Sequence, residues 1–315
     1  MNIVFLERTT VTVGDMDLTP FDALGEVTYC ESYDKTEMRT AAKDAEVLII
    51  NKTVVDKAFF DACPKLKCIC LLATGYNNVD LVTARERGVA VCNVPGYSTD
   101  AVAQLVFGFF LQFAASLPQY QSSVRDGVWC ASTRSNYLSW PIHELAGKTL
   151  GIIGYGGIGK KVGQIGAAFG MKVLVHTRTP KEDGIAEFAT LPEVLRRSDF
   201  LTLHCPLTEQ TKGLIGREEL AMMKPTAYLV NTSRGAVVEE QALADALNNG
   251  VIAGAGIDVL DAEPMAITCP YRTAKNCLVT PHIGWAAEES RARLLLEVAE
   301  NIRAFYAGER RNRVD

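Results

Sequence analysis

Four histidines, His143, His176, His204 and His282, are the side chains of this 315-residue chain whose ordinary pKa suits proton exchange near neutral pH. His282 stands in Val279-Thr-Pro-His-Ile-Gly-Trp285, directly after a short apolar run, where loop residues face a ligand crevice. Two more runs of the same kind each end in a useful group. Arg234 follows one in Asn231-Thr-Ser-Arg-Gly-Ala236, and Glu263 follows another in Asp258-Val-Leu-Asp-Ala-Glu-Pro264. A carboxylate beside a histidine raises its proton affinity and fixes its tautomer. An arginine offers a planar fork to a carboxylate and a carbonyl together. These are the demands of hydride transfer to a 2-oxo acid: an anchor for the acid, polarisation of the ketone and a proton for the forming alkoxide. From spacing alone, surface ion pairing explains the same three residues equally well. His204 ends a strand-like run without a carboxylate companion, and His143 precedes Glu144 in an irregular stretch.

The segment Thr149-Leu-Gly-Ile-Ile-Gly-Tyr-Gly-Gly-Ile-Gly-Lys160 supplies a context for such a transfer. Gly154, Gly156 and Gly159 follow an apolar strand and open a helix. The first glycine permits the tight turn, the second lets backbone approach a pyrophosphate, and the third lets helix and strand pack closely. An acidic residue is expected roughly 20 residues on, against the adenosine ribose. The strand Met171-Lys-Val-Leu-Val-His-Thr-Arg178 ends instead in Thr177 and Arg178, with His176 just before them. Threonine and arginine suit a 2′-phosphate that a carboxylate would repel, which favours NADP(H), or relaxed use of NADP(H) and NAD(H). Glu182 and Asp183 come past Pro180, off the strand end.

The elements that must hold these groups alternate strand and helix. Strands are predicted at Ile3–Leu6, Glu46–Asn51, Lys67–Leu72 and Ala90–Cys92, with helices around Lys35–Asp44, Lys57–Cys63 and Asp80–Arg87. A second series runs Thr149–Gly154, Lys172–Thr177, Phe200–His204, Ala227–Asn231, Gly254–Asp258 and Cys277–Thr280, with a helix at Val238–Asn249. Thr99–Leu117 reads as one buried helix, Pro118–Ala146 as irregular, and Ala286–Ala307 as an amphipathic helix. Buried strands alternating with helices give an α/β fold with parallel sheets covered on both faces. Two domains follow, the second inserted in the first: residues 1–98 plus 286–315, and residues 99–285. A continuous split near residue 147 is the simpler alternative.

Composition excludes several classes. With 37 acidic against 32 basic residues, the net charge of −5 does not suit nucleic acid as the main partner. The nine cysteines form no CxxC pair, so neither a disulfide framework nor a metal site is expected, and a reducing cytoplasm fits. Glu7 and Arg8 come too early for a signal-peptide core, and the longest apolar stretch, Leu105–Leu111, falls short of a membrane span.

GYGGIG, TSRG, DVLDAEP and TPHIGW, in this order and spacing, resemble the D-isomer-specific 2-hydroxyacid dehydrogenases. The resemblance covers nearly the whole chain. ATGYNNVD (Ala73–Asp80), NVPGYSTD (Asn93–Asp100) and HIGW point to the glycerate dehydrogenase or hydroxypyruvate/glyoxylate reductase branch. It implies a Rossmann nucleotide-binding domain inserted into a flavodoxin-like substrate domain, both doubly wound. It also implies Arg234 orienting the substrate's carboxylate and carbonyl, His282 as acid/base and Glu263 as its partner, with main-chain amides at Thr74 and Gly75 on the carboxylate. Gly157, Ile158, Thr177, Cys205, Pro206, Thr232, Ser233, Asp258 and Gly284 match cofactor-binding positions. Asp258 would face the nicotinamide, or else cap a loop. Val106 stands where many members carry a threonine, so one hydroxyl contact to the cofactor is lacking.

Lys52, after its strand, is a further candidate for the substrate anion, although a lysine there is more often solvated. Trp285 would wall the pocket or simply pack. The stretch 118–146, carrying Trp129, Tyr137 and Trp140, resembles the arm through which family members form homodimers. Three competing functions remain: reduction of bulkier 2-oxo acids or phosphoglycerate, a dinucleotide-sensing corepressor, and a cofactor-binding protein without turnover.

Overall fold

The strands pair in parallel throughout the computed structural model, which describes residues 1–315. They form two sheets, and the chain divides into two compact units: Met1–Ser98 with Trp285–Asp315, and Thr99–Gly284.

The first unit carries β1 (Asn2–Leu6), β2 (Glu26–Cys30), β3 (Val47–Ile50), β4 (Cys68–Leu71) and β5 (Ala90–Cys92), in the order β2-β1-β3-β4-β5. The inner strands β3 and β4 are buried along their whole length, because helices cover both faces. Asp34, Asp56 and Asp80 each cap the helix that follows, at Lys35–Ala42, Lys57–Ala62 and Leu81–Glu86, by accepting backbone N–H bonds. The amphipathic helix Glu288–Tyr306 returns to this sheet and buries Leu294, Leu295, Val298 and Ile302 in its core. Sequence patterning missed β2, an edge strand whose residues are only partly buried and which therefore reads as no apolar run.

The second unit carries β6 (Thr149–Ile153), β7 (Lys172–His176), β8 (Ala186–Phe188), β9 (Phe200–Leu203), β10 (Tyr228–Asn231), β11 (Gly254–Ile257) and β12 (Cys277–Val279). Their order is β12-β11-β10-β9-β6-β7-β8. The direction of winding reverses between β6 and β9, the switch point at which sheets of this type bind nucleotides. Helix Thr99–Ala115 buries Val106, Phe107, Phe109 and Phe110 against this sheet, and no single helix of the chain is long and apolar enough to cross a membrane.

The expected helix Thr99–Leu117 stops earlier. Ser116 adopts a left-handed backbone, φ 50°, and its hydroxyl donates to the Pro141 carbonyl at 2.7 Å. Pro118 then opens a second helix, Leu117–Arg125, inside the stretch expected to be irregular. Gln119, Gln121 and Ser122 dilute its apolar stripe, which hid the period.

Candidate active site

Glycine geometry decides what the β6 turn can hold. Gly154 has φ 92°, and a Cβ there would lie 2.6 Å from the Cys205 amide nitrogen, so the turns after β6 and β9 touch. A Cβ on Gly159 would lie 2.2 Å from the Gly154 carbonyl oxygen, which is the close helix–turn packing of the third glycine. A Cβ on Gly156 would meet nothing within 4 Å. The middle glycine therefore faces open space at the N-terminus of helix Gly157–Ala168, where backbone N–H groups favour an anion. Ile158 is partly buried against the core beneath.

Further along the same sheet edge, the Thr232 hydroxyl is buried with no hydrogen-bond partner. A polar atom in that state normally has a ligand or a water. Its neighbour Ser233 is already engaged, through N–H and hydroxyl, with the Asn231 side chain at 3.0 and 2.9 Å. Glycine cradle and orphaned hydroxyl together fit a dinucleotide. Beside them Cys205 is buried, and the Pro206 carbonyl accepts from the Thr211 hydroxyl at 2.6 Å.

Thr177 is half-buried and Arg178 exposed just past β7. Asp183, a few residues further on, is committed elsewhere. Its Oδ2 accepts from the Tyr155 hydroxyl at 2.8 Å, and its Oδ1 accepts the Ile185 and Ala186 amides at 3.0 and 3.2 Å. The Tyr155 bond is the largest influence holding the Asp183 carboxyl below its ordinary range. Tyr155 sits inside the glycine motif itself. No sequence signal marked it, since that place in the motif tolerates any side chain.

The histidine–carboxylate pair is built on two loops. Glu263 Oε2 accepts from His282 Nδ1 at 2.7 Å, and Oε1 accepts the Leu260 amide at 3.1 Å. His282 has φ 56°, a left-handed conformation that a non-glycine residue holds only when its surroundings fix it. Asp258, 2% exposed at the end of β11, does the fixing. Its Oδ1 accepts the Ile283 amide at 2.8 Å and the Thr280 hydroxyl at 2.6 Å, and its Oδ2 accepts the Gly284 amide at 2.9 Å. Burial raises the Asp258 pKa, against which these three bonds work. Asp258 is thus the bracket of the histidine loop, and Thr280 is a partner that sequence reading missed.

Arg234 stands exposed after β10, with Nη1 donating to the Ser233 carbonyl at 2.7 Å. Its loop meets the Glu263 loop directly, because a Cβ on Gly235 would lie 2.0 Å from the Leu260 carbonyl carbon. The three strand-end groups are therefore neighbours by backbone contact and hydrogen bond, not by sheet order alone.

The remaining candidates belong to the first unit. Thr74 and Gly75 lie past β4, where the Thr74 hydroxyl donates to the Val94 carbonyl at 2.8 Å and the Asn93 side chain donates to the Thr74 carbonyl at 2.7 Å. Lys52 lies past β3 on a loop gripped by Glu7, whose Oε2 accepts the amides of Asn51, Lys52 and Thr53 at 3.3, 3.0 and 2.8 Å. Trp285 packs edge-on against Tyr97, ring centres 6.5 Å apart, in the first unit's core.

His204 is not an acid at neutral pH. Its Nε2 meets the Thr202 hydroxyl at 3.0 Å, and burial pushes its pKa down to about 3. The unfolded chain, near 6.5, takes the proton first, so the neutral ring's contribution is present above that pH and lost on acidification. We expect stability to fall by roughly 2 kcal/mol between pH 7 and pH 5 from this group. Chemical denaturation of wild type and His204→Gln at both values checks this; an equal fall in the variant contradicts it.

A parallel doubly wound sheet with a glycine cradle at its switch point, and a carboxylate-paired histidine on the same edge, defines a nicotinamide-dependent oxidoreductase. The model of the D-isomer specific 2-hydroxyacid dehydrogenase NAD-binding domain matches residues 107–284, and the chain belongs to that family. It is an enzyme acting on the CH–OH group of its donors. It is 39% identical over 317 residues to a hydroxypyruvate reductase of Blautia hydrogenotrophica, covering 98% of each chain. It is 42% identical over 275 residues to a glyoxylate reductase of Thermococcus litoralis, covering 84% of this chain and 81% of that one. The TT0316 protein of Thermus thermophilus superposes with a TM-score of 0.89 at 35% identity, covering 100% of both chains.

Proposed function

We propose that this dehydrogenase reduces hydroxypyruvate to D-glycerate, or glyoxylate to glycolate, and prefers NADPH. The observation that carries the chemistry is the 2.7 Å bond between Glu263 and His282. A carboxylate only accepts, so His282 Nδ1 donates, and the proton delivered to the substrate is the one on Nε2. When bound, the reduced nicotinamide supplies the hydride. Arg234 holds the substrate's carboxylate and polarises its ketone, and the amides of Thr74 and Gly75 share the carboxylate's charge. Lys52 adds a cation from the Glu7-gripped loop, and Trp285 shapes the pocket. Glu263 stabilises the charged imidazole between turnovers, which keeps the acid ready.

In this reading the first unit is the substrate domain and the second holds the cofactor. Gly154, Gly156, Gly157, Ile158 and Gly159 receive the pyrophosphate. Cys205, Pro206, Thr232, Ser233, Asp258 and Gly284 line the adenosine-to-nicotinamide path. Hydroxypyruvate and glyoxylate are favoured by the names of the relatives above. A panel of glyoxylate, hydroxypyruvate, pyruvate and branched 2-oxo acids tests the choice; faster turnover of a branched acid than of either would reject it.

The NADPH preference is supported by Thr177 and Arg178 at the end of β7, together with Asp183's commitment to Tyr155. An arginine–phosphate contact is worth about 1.5–3 kcal/mol. Arg178→Ala should therefore raise the KM for NADPH about ten- to a hundredfold while barely changing that for NADH. Equal changes for both cofactors would remove the phosphate role.

The same reading makes the chain a cytoplasmic homodimer joined through residues 118–146. Val124, Val128, Trp129, Leu138 and Ile142 are all exposed there, more apolar surface than one isolated loop needs.

A further inference from the structure

Cys68 and Cys70 alternate along β4, so both point to one face of the first sheet. Cys92, on the neighbouring strand β5, is in register with Cys70. Their three sulfurs lie within 4.8 Å of one another, the first two 3.7 Å apart, and none of the three residues is more than 1% exposed. A single buried cysteine is a small hydrophobe. Three converging thiols are a ligand set.

We propose that these three thiols form a binding site for a trivalent thiophilic centre, arsenous acid being the probe. A pyramidal trivalent centre at ~2.3 Å from each sulfur, the range of metal–thiolate bonds, sets its sulfurs roughly 3.4 Å apart. The 3.7 Å between Cys68 and Cys70 lies a few tenths of an ångström (~0.3 Å) above that value, within reach of a small side-chain adjustment. Charge then selects the valence. Three thiolates around a monovalent or divalent ion carry a net negative charge, which is expensive in the apolar surroundings of Leu294, Val298 and Ile302. The nearby Arg313 guanidinium is already paired with Asp315. A trivalent centre leaves the cluster neutral. In the exchange, three S–H bonds and three As–OH bonds break, three As–S bonds form and three waters leave. Arsenic stays in its trivalent state, so no oxidant or reductant is needed.

Entry has a route. β5 is an edge strand of the sheet, and residues 312–315 cover it. The Asn93 amide donates to the Asn312 carbonyl at 3.1 Å, the Val314 amide to the Val91 carbonyl at 2.9 Å, and the Val91 amide to Asp315 Oδ1 at 2.8 Å. Local opening of this short segment uncovers Cys92 first.

The full-length protein incubated with sodium arsenite should, in native mass spectrometry, gain one arsenic and lose three hydrogens, with an arsenic–thiolate absorption in the near ultraviolet. Cys70→Ala and Cys92→Ala should each weaken binding at least tenfold, whereas Cys130→Ala, at an exposed position outside the cluster, should not. Thermal melting without arsenite shows which variants fold, and Cys68→Ala serves where another does not. Undiminished binding in the folded cluster variants, or loss of only two hydrogens, overturns the site. Cadmium bound as tightly as arsenite overturns the assignment of valence.

Discussion

His282→Ala should lower kcat for 2-oxo acid reduction by about 10²–10⁴-fold, the usual contribution of a positioned general acid, while cofactor affinity stays nearly unchanged. The expectation follows from the division of labour on the sheet edge. The glycine cradle after β6 makes no use of the imidazole, and Asp258 grips backbone amides and the Thr280 hydroxyl, none of which belongs to the histidine ring. Removing the ring therefore leaves the bonds that Asp258 makes to the loop intact, while the bond to Glu263 is lost. Steady-state kinetics on hydroxypyruvate and glyoxylate, beside NADPH titration by fluorescence, separates the two effects. Turnover equal to that of the wild type would reject the proton role and reopen the reading of a nucleotide sensor. Glu263→Gln provides the companion measurement. It keeps the shape but not the charge beside Nδ1, so kcat should fall less than in His282→Ala while cofactor affinity stays nearly unchanged.

Arg234→Ala should reduce kcat/KM by about 10²–10⁴-fold, from the loss of charge-assisted bonds worth about 1.5–3 kcal/mol each to carboxylate and ketone. Arg234→Lys is the more discriminating variant. It restores the charge without the planar fork, and should regain only a minor part of the loss. Added guanidinium ion should rescue Arg234→Ala more than Arg234→Lys. A lysine variant as active as the wild type would reduce the arginine to a general attraction for anions. The backbone should tolerate these changes, since the tight contact of the loop lies at Gly235 against Leu260 rather than at the arginine side chain.

Much of the second unit was legible because most of its strands are short, buried apolar runs followed by loops that carry the candidate groups. Gly154, Gly156 and Gly159 announced the cradle, and the ends of β10, β11 and β12 each delivered one candidate. What could not be read is what depends on tertiary closure. Nothing in the spacing said that Gly235 meets Leu260, which is what makes the Arg234 and Glu263 loops neighbours. The Tyr155–Asp183 bond joins residues 28 positions apart, one of them in a motif place open to any side chain. Thr280 and Asp258 are likewise partners only after β11 and β12 have paired. The strands β2 and β8 escaped notice because sheet edges need few apolar residues. Helix Leu117–Arg125 escaped because its polar residues outnumber its apolar ones.

The Glu7 carboxylate grips three consecutive main-chain amides, at Asn51, Lys52 and Thr53. The main chain of the loop is therefore held whatever the exposed residue 54 carries outward. Exchange of Val54 changes what the loop offers without releasing those three bonds. A loop anchored in this way is a place where selection, natural or in the laboratory, can try new acids one side chain at a time, with the scaffold already secured.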